Sequence, residues 1–134
     1  MGMLRIWLFG AVRLDHEDFS IDPAAVHPVQ GLLAYLLLHR ERLHSREALA
    51  GVFWGDRTDG KARRRLNTAV WRLRSALEPA GVPRGAYLLS TDAGELGFNC
   101  ASDHWLDVAV FEQRARQMLA RPEEEIQPPD VESI

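Results

Sequence analysis

The segment GKARRRLNTAVWRLRSAL, residues 60–77, combines a helical pattern of apolar residues with a high density of positive charge. Six Arg or Lys side chains lie between Lys61 and Arg74, and no acidic residue lies among them. The whole chain is nevertheless acidic, with a formal net charge of -3. The positive charge is therefore a local property of this segment, and the question is what the segment contacts.

The apolar residues of this segment fall on one face of a helix when successive residues are turned by about 100°. That face predicts contact with a core, and its members are Leu66, Val70, Leu73 and Leu77, with Ala62 and Ala69 at its borders. The opposite face carries Arg64, Thr68, Trp71 and Ser75, with Arg65 and Arg72 on one flank and Asn67 and Arg74 on the other. Pro79 disfavours a helical Glu78, so the helix is predicted to run from about Lys61 to Leu77.

The polar face of this predicted helix lacks the acidic residues that usually accompany Lys and Arg on a solvated surface. Unbalanced like charges repel one another, and contact with a polyanion would change this unfavourable electrostatic energy into a favourable one. Guanidinium groups bind phosphate and the edge of guanine, while Thr, Ser and Asn supply short hydrogen-bonding groups. The face therefore indicates contact with DNA. A solvated Arg-rich face whose Trp71 packs on a neighbouring hairpin remains the alternative.

Length and composition indicate a soluble protein with one core. A chain of 134 residues is long enough for a single domain. Cys100 is the only cysteine, so an internal disulfide is excluded, which fits a reducing cytoplasm. The strongly apolar run 32–38 is far shorter than the roughly 20 residues of a membrane span, and no signal peptide is evident. A cytoplasmic location without membrane contact is therefore expected.

The first third of the chain predicts short strands followed by a buried helix. Residues 3–9 are rich in apolar side chains, residues 11–15 alternate, and Phe19 and Ile21 alternate around Ser20. These three patterns predict a small antiparallel sheet. A buried helix is predicted after Pro28, because apolar residues recur there at helical spacing: Leu32, Leu33, Leu36 and Leu37.

The middle of the chain predicts a helix–turn–helix followed by a hairpin. Ser45 is expected to cap a second helix that ends at Gly55, and Thr58 or Asp59 is expected to cap the third. Two extended pieces, 87–90 and 94–99, predict a β-hairpin. This order is typical of a helix–turn–helix with a wing, whose second helix enters the major groove of DNA.

The C-terminal part predicts one more helix and a tail. The helix begins at Asp107 and ends before Pro122, with Val108, Phe111, Ala115 and Met118 on one side. The segment 122–134 contains four Glu and one Asp but no basic residue, and it is rich in proline. This composition predicts disorder.

Four stretches of the sequence resemble a known family: LLAYLLLH (32–39), HSREALAGVFW (44–54), ARRRLNTAVWRLRSAL (62–77) and YLLST…GELGFN (87–99). Together they resemble the OmpR/PhoB-type winged-helix DNA-binding domain, and more closely its version in SARP-like bacterial transcriptional activators. DVAVFE (107–112) resembles the first residues of the bacterial transcriptional activation domain (BTAD) that follows in that family.

The resemblance implies an α+β fold: a four-stranded N-terminal antiparallel sheet, three helices and a C-terminal hairpin wing, with one extra helix after them. The fourth strand would lie near residues 24–27. The predicted organisation is a winged-helix domain over 1–104, a BTAD-like helix over 105–121 and a disordered tail over 122–134.

The resemblance also implies that helix 61–77 lies in the major groove. The DNA-binding residues expected from it and from the charge pattern are Lys61, Arg63, Arg64, Arg65, Thr68, Trp71, Arg72 and Ser75. The loop before the helix is expected to face RNA polymerase, including its sigma subunit, through Asp56, Arg57, Thr58 and Asp59. Direct-repeat operators and a homodimer on double-stranded DNA are usual in the family.

Two departures from the family pattern limit these expectations. The wing tip carries Asp92 and Glu95 but no basic residue, so phosphate would repel its side chains, and only backbone N–H groups would serve there. The sequence also covers barely one helix of the following domain, so the chain is either a fragment of a longer regulator or a regulator without that half.

No other site is indicated by the sequence. The histidines are scattered, with His39 and His44 on either side of a helix end, and no metal or cofactor is expected. Cys100 lacks a basic partner, and no nucleotide-binding or hydrolase motif is present, so no enzyme is predicted. The rival hypothesis is a protein-interaction module, in which Arg64 and Arg72 would pair with acids such as Glu47 or Asp92.

Overall fold

The computed structural model describes residues 2–55 and 60–120. In chain order their elements are β1 (Leu4–Trp7), β2 (Arg13–His16), α1 (Pro23–Val26), a 3-10 turn (His27–Val29), α2 (Gln30–Leu38), β3 (His44–Ser45), α3 (Arg46–Trp54), α4 (Lys61–Leu77), β4 (Leu88–Ser90), β5 (Glu95–Phe98), β6 (His104–Leu106) and α5 (Asp107–Leu119). Helices and small sheets share one core, which confirms the predicted α+β winged-helix class.

The first sheet has β1 at its centre, between β2 and β6. β2 runs antiparallel to it, with Leu4 opposite His16, whereas β6 runs parallel, with Leu4 opposite His104. Because side chains alternate along a strand, Leu4 and Ile6 both point into the core and are fully buried. The sheet is therefore mixed rather than purely antiparallel, since its third strand comes from the opposite end of the described chain.

The predicted third and fourth strands of the N-terminal sheet are wrong. Residues 17–22 contain no strand, and the ring of Phe19 stacks on His16 with centroids 4.0 Å apart. Residues 23–26 form α1 instead of a strand. The Asp22 carboxylate accepts a hydrogen bond from the Ala24 N–H at 2.9 Å, and Pro23 follows Asp22 at the first helical position. Both are helix-start signals, and this local chemistry decides the conformation.

The helix α2 is buried along most of its length, as its leucines predict. Leu33 and Leu37 are completely buried, whereas Leu38 at the end is half exposed. Tyr35 packs edge-on against Phe53 of α3, with ring centroids 5.7 Å apart. α2 therefore packs against α3 of the helix–turn–helix.

The two helices of the helix–turn–helix begin in different ways. Ser45 caps α3 as predicted, since its hydroxyl accepts a hydrogen bond from the Ala48 N–H at 3.0 Å. α4 runs from Lys61 to Leu77, as predicted, but its N-cap residue is Gly60 with a φ of +74°, and no side chain caps it there. The predicted caps Thr58 and Asp59 lie outside the described residues.

The wing is the predicted hairpin of β4 and β5, with β3 as a third strand on the other side of β5. His44 of β3 pairs with Leu96, so the wing is hydrogen-bonded to the residues that start α3. A Cβ at Gly97 would lie 2.6 Å from the Leu43 Cδ2 atom, so a larger residue there would require the Leu43 side chain to shift. The wing and α3 therefore form one unit.

The helix α5 begins directly after β6. The Asp107 carboxylate accepts hydrogen bonds from the N–H groups of Leu8 at 3.0 Å and Phe9 at 3.1 Å, which ties the helix to the end of β1. Of the predicted apolar side, Val108 is buried, whereas Phe111 and Met118 are exposed, and Phe111 contacts Phe9 edge-on. The predicted domain boundary at residue 104 falls within β6, and the division of the chain stays a prediction.

Among the described residues, no helix is both long enough and apolar enough to cross a membrane. The segment 122–134, for which disorder is predicted, lies outside the described residues, as does the loop 56–59.

Candidate nucleic-acid interface

The two faces of α4 are separated as its sequence predicts. Leu66, Leu73 and Leu77 are completely buried, and Val70 is nearly so. All residues of the predicted DNA-binding set are exposed: Lys61, Arg63, Arg64, Arg65, Thr68, Trp71, Arg72 and Ser75. We call this exposed set the outer face of α4. Their exposure makes a macromolecular contact feasible, and their role in binding DNA stays a prediction.

Trp71 lies in the middle of the outer face and is 69% exposed. The alternative in which this side chain packs on the wing is therefore wrong. An indole ring in water is unusual on a helix whose other apolar side chains are buried. Trp71 is thus available for contact with a ligand.

One flank of the outer face borders a cleft between α4, the 3-10 turn before α2 and the end of α3. The cleft has a volume of about 630 Å³ and an apolar far wall that includes Pro28, Val29 and Trp54. The α4 side of the cleft consists of Lys61, Arg64, Arg65, Thr68, Ala69 and Arg72. This flank is therefore basic on the helix side and apolar on the other.

The other flank borders a second cleft, of about 360 Å³, which contains cations that the helix pattern did not reveal. It is lined by Arg46, Arg63, Asn67, Val70, Trp71, Arg74 and Arg84. Arg46 starts α3 and Arg84 lies in the turn before the wing, so this basic cluster forms only when three parts of the chain meet. We call Arg46, Arg63 and Arg84 the second basic cluster.

Arg46 connects three elements at this flank. One of its guanidinium nitrogens donates to the Asn67 Oδ1 atom at 3.0 Å, and the other approaches the Ser90 hydroxyl of β4 at 3.5 Å. Partial burial lowers the pKa of Arg46, and the charges of Arg63, Arg74 and Arg84 lower it further. The lowered pKa reflects burial first and crowded positive charge second, and an anion would relieve the crowded charge.

A buried carboxylate joins the end of α4 to the wing. The Glu78 side chain is 1% exposed and pairs with Arg74 at 2.7 Å. It also accepts hydrogen bonds from the N–H groups of Gly85, Tyr87 and Leu88 at 2.9 to 3.0 Å. Burial alone would raise the pKa of Glu78, but these hydrogen bonds together lower it. Glu78 thus fixes the wing relative to the outer face.

The wing tip remains acidic in the folded chain. Asp92 is exposed and Glu95 is half-buried. The N–H of Gly94 donates to the Thr91 carbonyl at 2.9 Å, and the N–H of Glu95 donates to the Thr91 hydroxyl at 3.1 Å. These two backbone donors are used within the turn, so fewer remain for a phosphate than the sequence suggested.

The rival expectation of arginine–acid pairing is not met by Arg72. The ion pairs among the described residues are Arg5–Asp15, Arg40–Glu112 and Arg74–Glu78. Arg72 belongs to none of them and is exposed, so it pairs with neither Glu47 nor Asp92. The Arg72 guanidinium is exposed to solvent.

No metal centre is formed by the described residues. The rings of His39 and His44 are 6.2 Å apart, and no group of three possible metal-ligating side chains occurs in the described part of the chain. The Cys100 thiol is exposed and lies 3.3 Å from the Arg40 carbonyl oxygen. The predicted polymerase-facing residues Asp56, Arg57, Thr58 and Asp59 lie outside the described residues.

A two-helix unit with an exposed second helix, followed by a hairpin, defines a winged helix–turn–helix. Residues 29–94 match the family described as "Transcriptional regulatory protein, C terminal". These residues therefore match a family of OmpR/PhoB-type C-terminal DNA-binding domains. The match confirms the predicted family, whereas the closer resemblance to SARP-like activators stays a prediction. The family is a regulatory DNA-binding family and not an enzyme family. No curated protein and no solved structure matches the chain significantly.

Proposed function

We propose that this protein is a sequence-specific DNA-binding transcriptional regulator that inserts α4 into the major groove. The observation that carries the proposal is the charge of the outer face. Five cations are exposed there, and no acid interrupts them: Lys61, Arg63, Arg64, Arg65 and Arg72. The positive charges of such a surface repel one another, and the phosphates of a polyanion would offset that repulsion.

The shape of this region matches the dimensions of the major groove. The groove is about 12 Å wide and admits one α-helix. Arg64, Thr68 and Ser75 lie along the centre of the outer face and would meet base edges. The two flanks would meet the two phosphate walls, Lys61 and Arg65 on one side and the second basic cluster on the other.

The wing has a minor part in this proposal. Asp92 is exposed at its tip, and a carboxylate next to phosphate is repelled. The wing instead supports the interface from behind, since Glu78 attaches β4 to the end of α4 and Arg46 approaches Ser90.

Further partners follow from the family resemblance. The loop Asp56–Asp59 would face the sigma subunit of RNA polymerase, and two copies would bind a direct repeat as a homodimer on DNA. The protein would act in the cytoplasm, on the nucleoid. Half-sites one helical turn apart would be bound more tightly than a single half-site.

The proposal is tested by fluorescence anisotropy with labelled duplexes at about 50 and about 200 mM salt. Neutralising about six phosphates gives a slope of about -5 in a plot of log affinity against log salt. Arg64→Ala combined with Arg72→Ala should weaken binding by about 10-fold or more. The matched control is Arg114→Ala combined with Arg116→Ala, which removes two exposed charges from α5 and should leave affinity nearly unchanged.

Failure of the wild-type chain to bind any duplex at about 50 mM salt would contradict the proposal. That result would favour the rival function, a winged-helix protein-interaction module that does not bind DNA. Equal losses from the α4 and α5 double variants would show that charge alone, and not the outer face, determines binding.

A further inference from the structure

We infer that Asn67 and Trp71 together recognise a thymine in the major groove and that Arg46 is the positioning residue for Asn67. This inference rests on the proposed function, because it names the base that the outer face selects. It depends on two observations that are independent of the overall charge: the exposure of one indole ring and the hydrogen bond of one amide.

The first observation concerns Trp71. Its ring is 69% exposed on a surface of otherwise polar and basic side chains. An apolar ring gains by contact with an apolar group and gains little from phosphate. The base edges of the major groove present hydrogen-bonding groups, and the apolar group among them is the C5-methyl group of thymine. The natural contact of Trp71 in that groove is therefore a thymine methyl.

The second observation concerns Asn67, which is exposed and lines the same cleft as Trp71. Arg46 donates to its Oδ1 atom at 3.0 Å. A guanidinium has donors only, so the amide oxygen must face Arg46 and the amide nitrogen must face away. Asn67 is thereby fixed as a hydrogen-bond donor toward a ligand.

The orientation of this amide disfavours adenine. Asn recognises adenine with its oxygen and its nitrogen together. In this protein the Asn67 oxygen already accepts from Arg46, and the nitrogen remains for an acceptor on a base. Thymine O4, guanine O6 and the purine N7 atoms are such acceptors, and thymine alone carries a methyl group beside its acceptor.

The spacing of the two side chains fits a single base. Asn67 and Trp71 are four residues apart on α4, and side chains at this spacing are neighbours with Cβ atoms about 5–6 Å apart. A donor and an apolar ring at this separation match the adjacent O4 and methyl groups of one thymine. Cytosine would place an amino donor against the Asn67 amide and is therefore rejected.

The first experiment removes only the methyl group. A duplex selected from a random pool by the wild-type chain is remade with each thymine replaced in turn by uracil, and affinities are measured by anisotropy. One replacement per half-site should weaken binding by about fourfold, the value for one buried methyl group. Trp71→Ala should bind the thymine and uracil duplexes equally. Trp71→Phe, which keeps an apolar ring, should retain part of the difference.

The second experiment separates positioning from charge. Arg46→Ala and Arg84→Ala each remove one cation from the second basic cluster, and each should reduce the salt slope by about 1. Only Arg46→Ala frees the Asn67 amide, so only this variant should lower the preference for a T·A pair over a C·G pair at the uracil-sensitive position. The preference of Arg84→Ala should equal that of the wild-type chain. Thermal unfolding of each variant verifies that it is folded.

Three results would overturn the inference. In the first, salt-dependent binding shows no thymine whose replacement by uracil weakens it. In the second, the uracil penalty persists in Trp71→Ala. In the third, Arg46→Ala and Arg84→Ala have the same base preference. If the wild-type chain binds no duplex at all at about 50 mM salt, the proposed function fails, and this inference fails with it.

Discussion

Two arginines two residues apart on α4 have opposite environments. Arg74 is 11% exposed, pairs with the buried Glu78 at 2.7 Å and donates to the Leu88 carbonyl at 3.1 Å. Arg72 is exposed and forms no ion pair with the described residues. The arginine side chain therefore holds the wing at position 74, and at position 72 it is exposed for contact with a ligand. The two environments differ because the two side chains leave the helix in different directions, since their chemistry is the same.

The largest effect should follow from removing the carboxylate that Arg74 contacts. Glu78→Ala leaves three N–H donors without their acceptor and deprives the Arg74 guanidinium of its carboxylate partner, which should lower the free energy of unfolding by about 3 kcal/mol or more. Urea denaturation followed by circular dichroism measures this loss. An unfolding free energy within about 0.5 kcal/mol of wild type would mean that Glu78 does not hold the wing.

The next effect compares the two arginines directly. Arg74→Ala should lower the free energy of unfolding by about 2 kcal/mol, because Glu78 keeps its backbone donors but loses its cation. Arg72→Ala should change stability by less than about 0.5 kcal/mol and weaken DNA binding by about 5-fold or more. Chemical denaturation and anisotropy on the same samples separate the two outcomes. Similar stability losses for both variants would contradict the distinction.

Acid should weaken the attachment of the wing and spare the outer face. The folded pKa of Glu78 lies below its ordinary value of 4.5. The stability that Glu78 contributes is therefore fully present above about pH 4.5 and is lost as pH falls through the lower, folded pKa. Urea midpoints measured from neutral to acidic pH should fall more steeply in the wild-type chain than in Glu78→Gln, which cannot titrate. Parallel curves would assign the acid sensitivity to other carboxylates.

The smallest effect concerns the wing tip. Asp92→Asn removes an exposed negative charge without changing the shape of the side chain, and it should raise DNA affinity by about twofold at low salt. The gain should disappear at high salt because the carboxylate is exposed to solvent. Anisotropy at several salt concentrations provides the measurement, with Glu47→Gln on α3 as a control. A loss of affinity would mean that the Asp92 side chain contributes to binding.

Local patterns predicted the helix–turn–helix and the wing well. The boundaries of α4 and its buried face follow from the spacing of Leu66, Leu73 and their neighbours, and the Ser45 cap follows from the residue type. These features depend on residues close together in the chain. The exposure of the outer face follows in the same way, because a helix with one apolar side directs the rest toward solvent.

Features that depend on distant residues were missed. β6 pairs with β1 across about one hundred residues of the sequence. The three residues His104–Leu106 contain no pattern that indicates this pairing. The second basic cluster likewise joins the start of α3, the first turn of α4 and the turn before β4. Arg84 carried no signal in the sequence. Arg46 carried a weak one, as the first residue after a helix cap beside the recognition helix.

The error in residues 17–26 has a different origin. Phe19 and Ile21 alternate as a strand does, but two apolar residues are too few to fix a strand without a partner. Asp22 and Pro23 form a helix start within the same segment, and this signal opposes the strand expected near residues 24–27. The capping residues therefore decide the conformation here, and the alternation of two apolar residues does not.

The attachment of α5 has a mechanical consequence. The helix starts at the residue after β6, its Asp107 holds the end of β1, and its Glu112 pairs with Arg40 at the end of α2 at 2.8 Å. No linker separates α5 from the winged helix, so a torque applied to α5 cannot be absorbed by a swivel. It would be delivered to the central strand of the first sheet and to α2 at once. α5 and the winged helix are therefore expected to rotate together as one body.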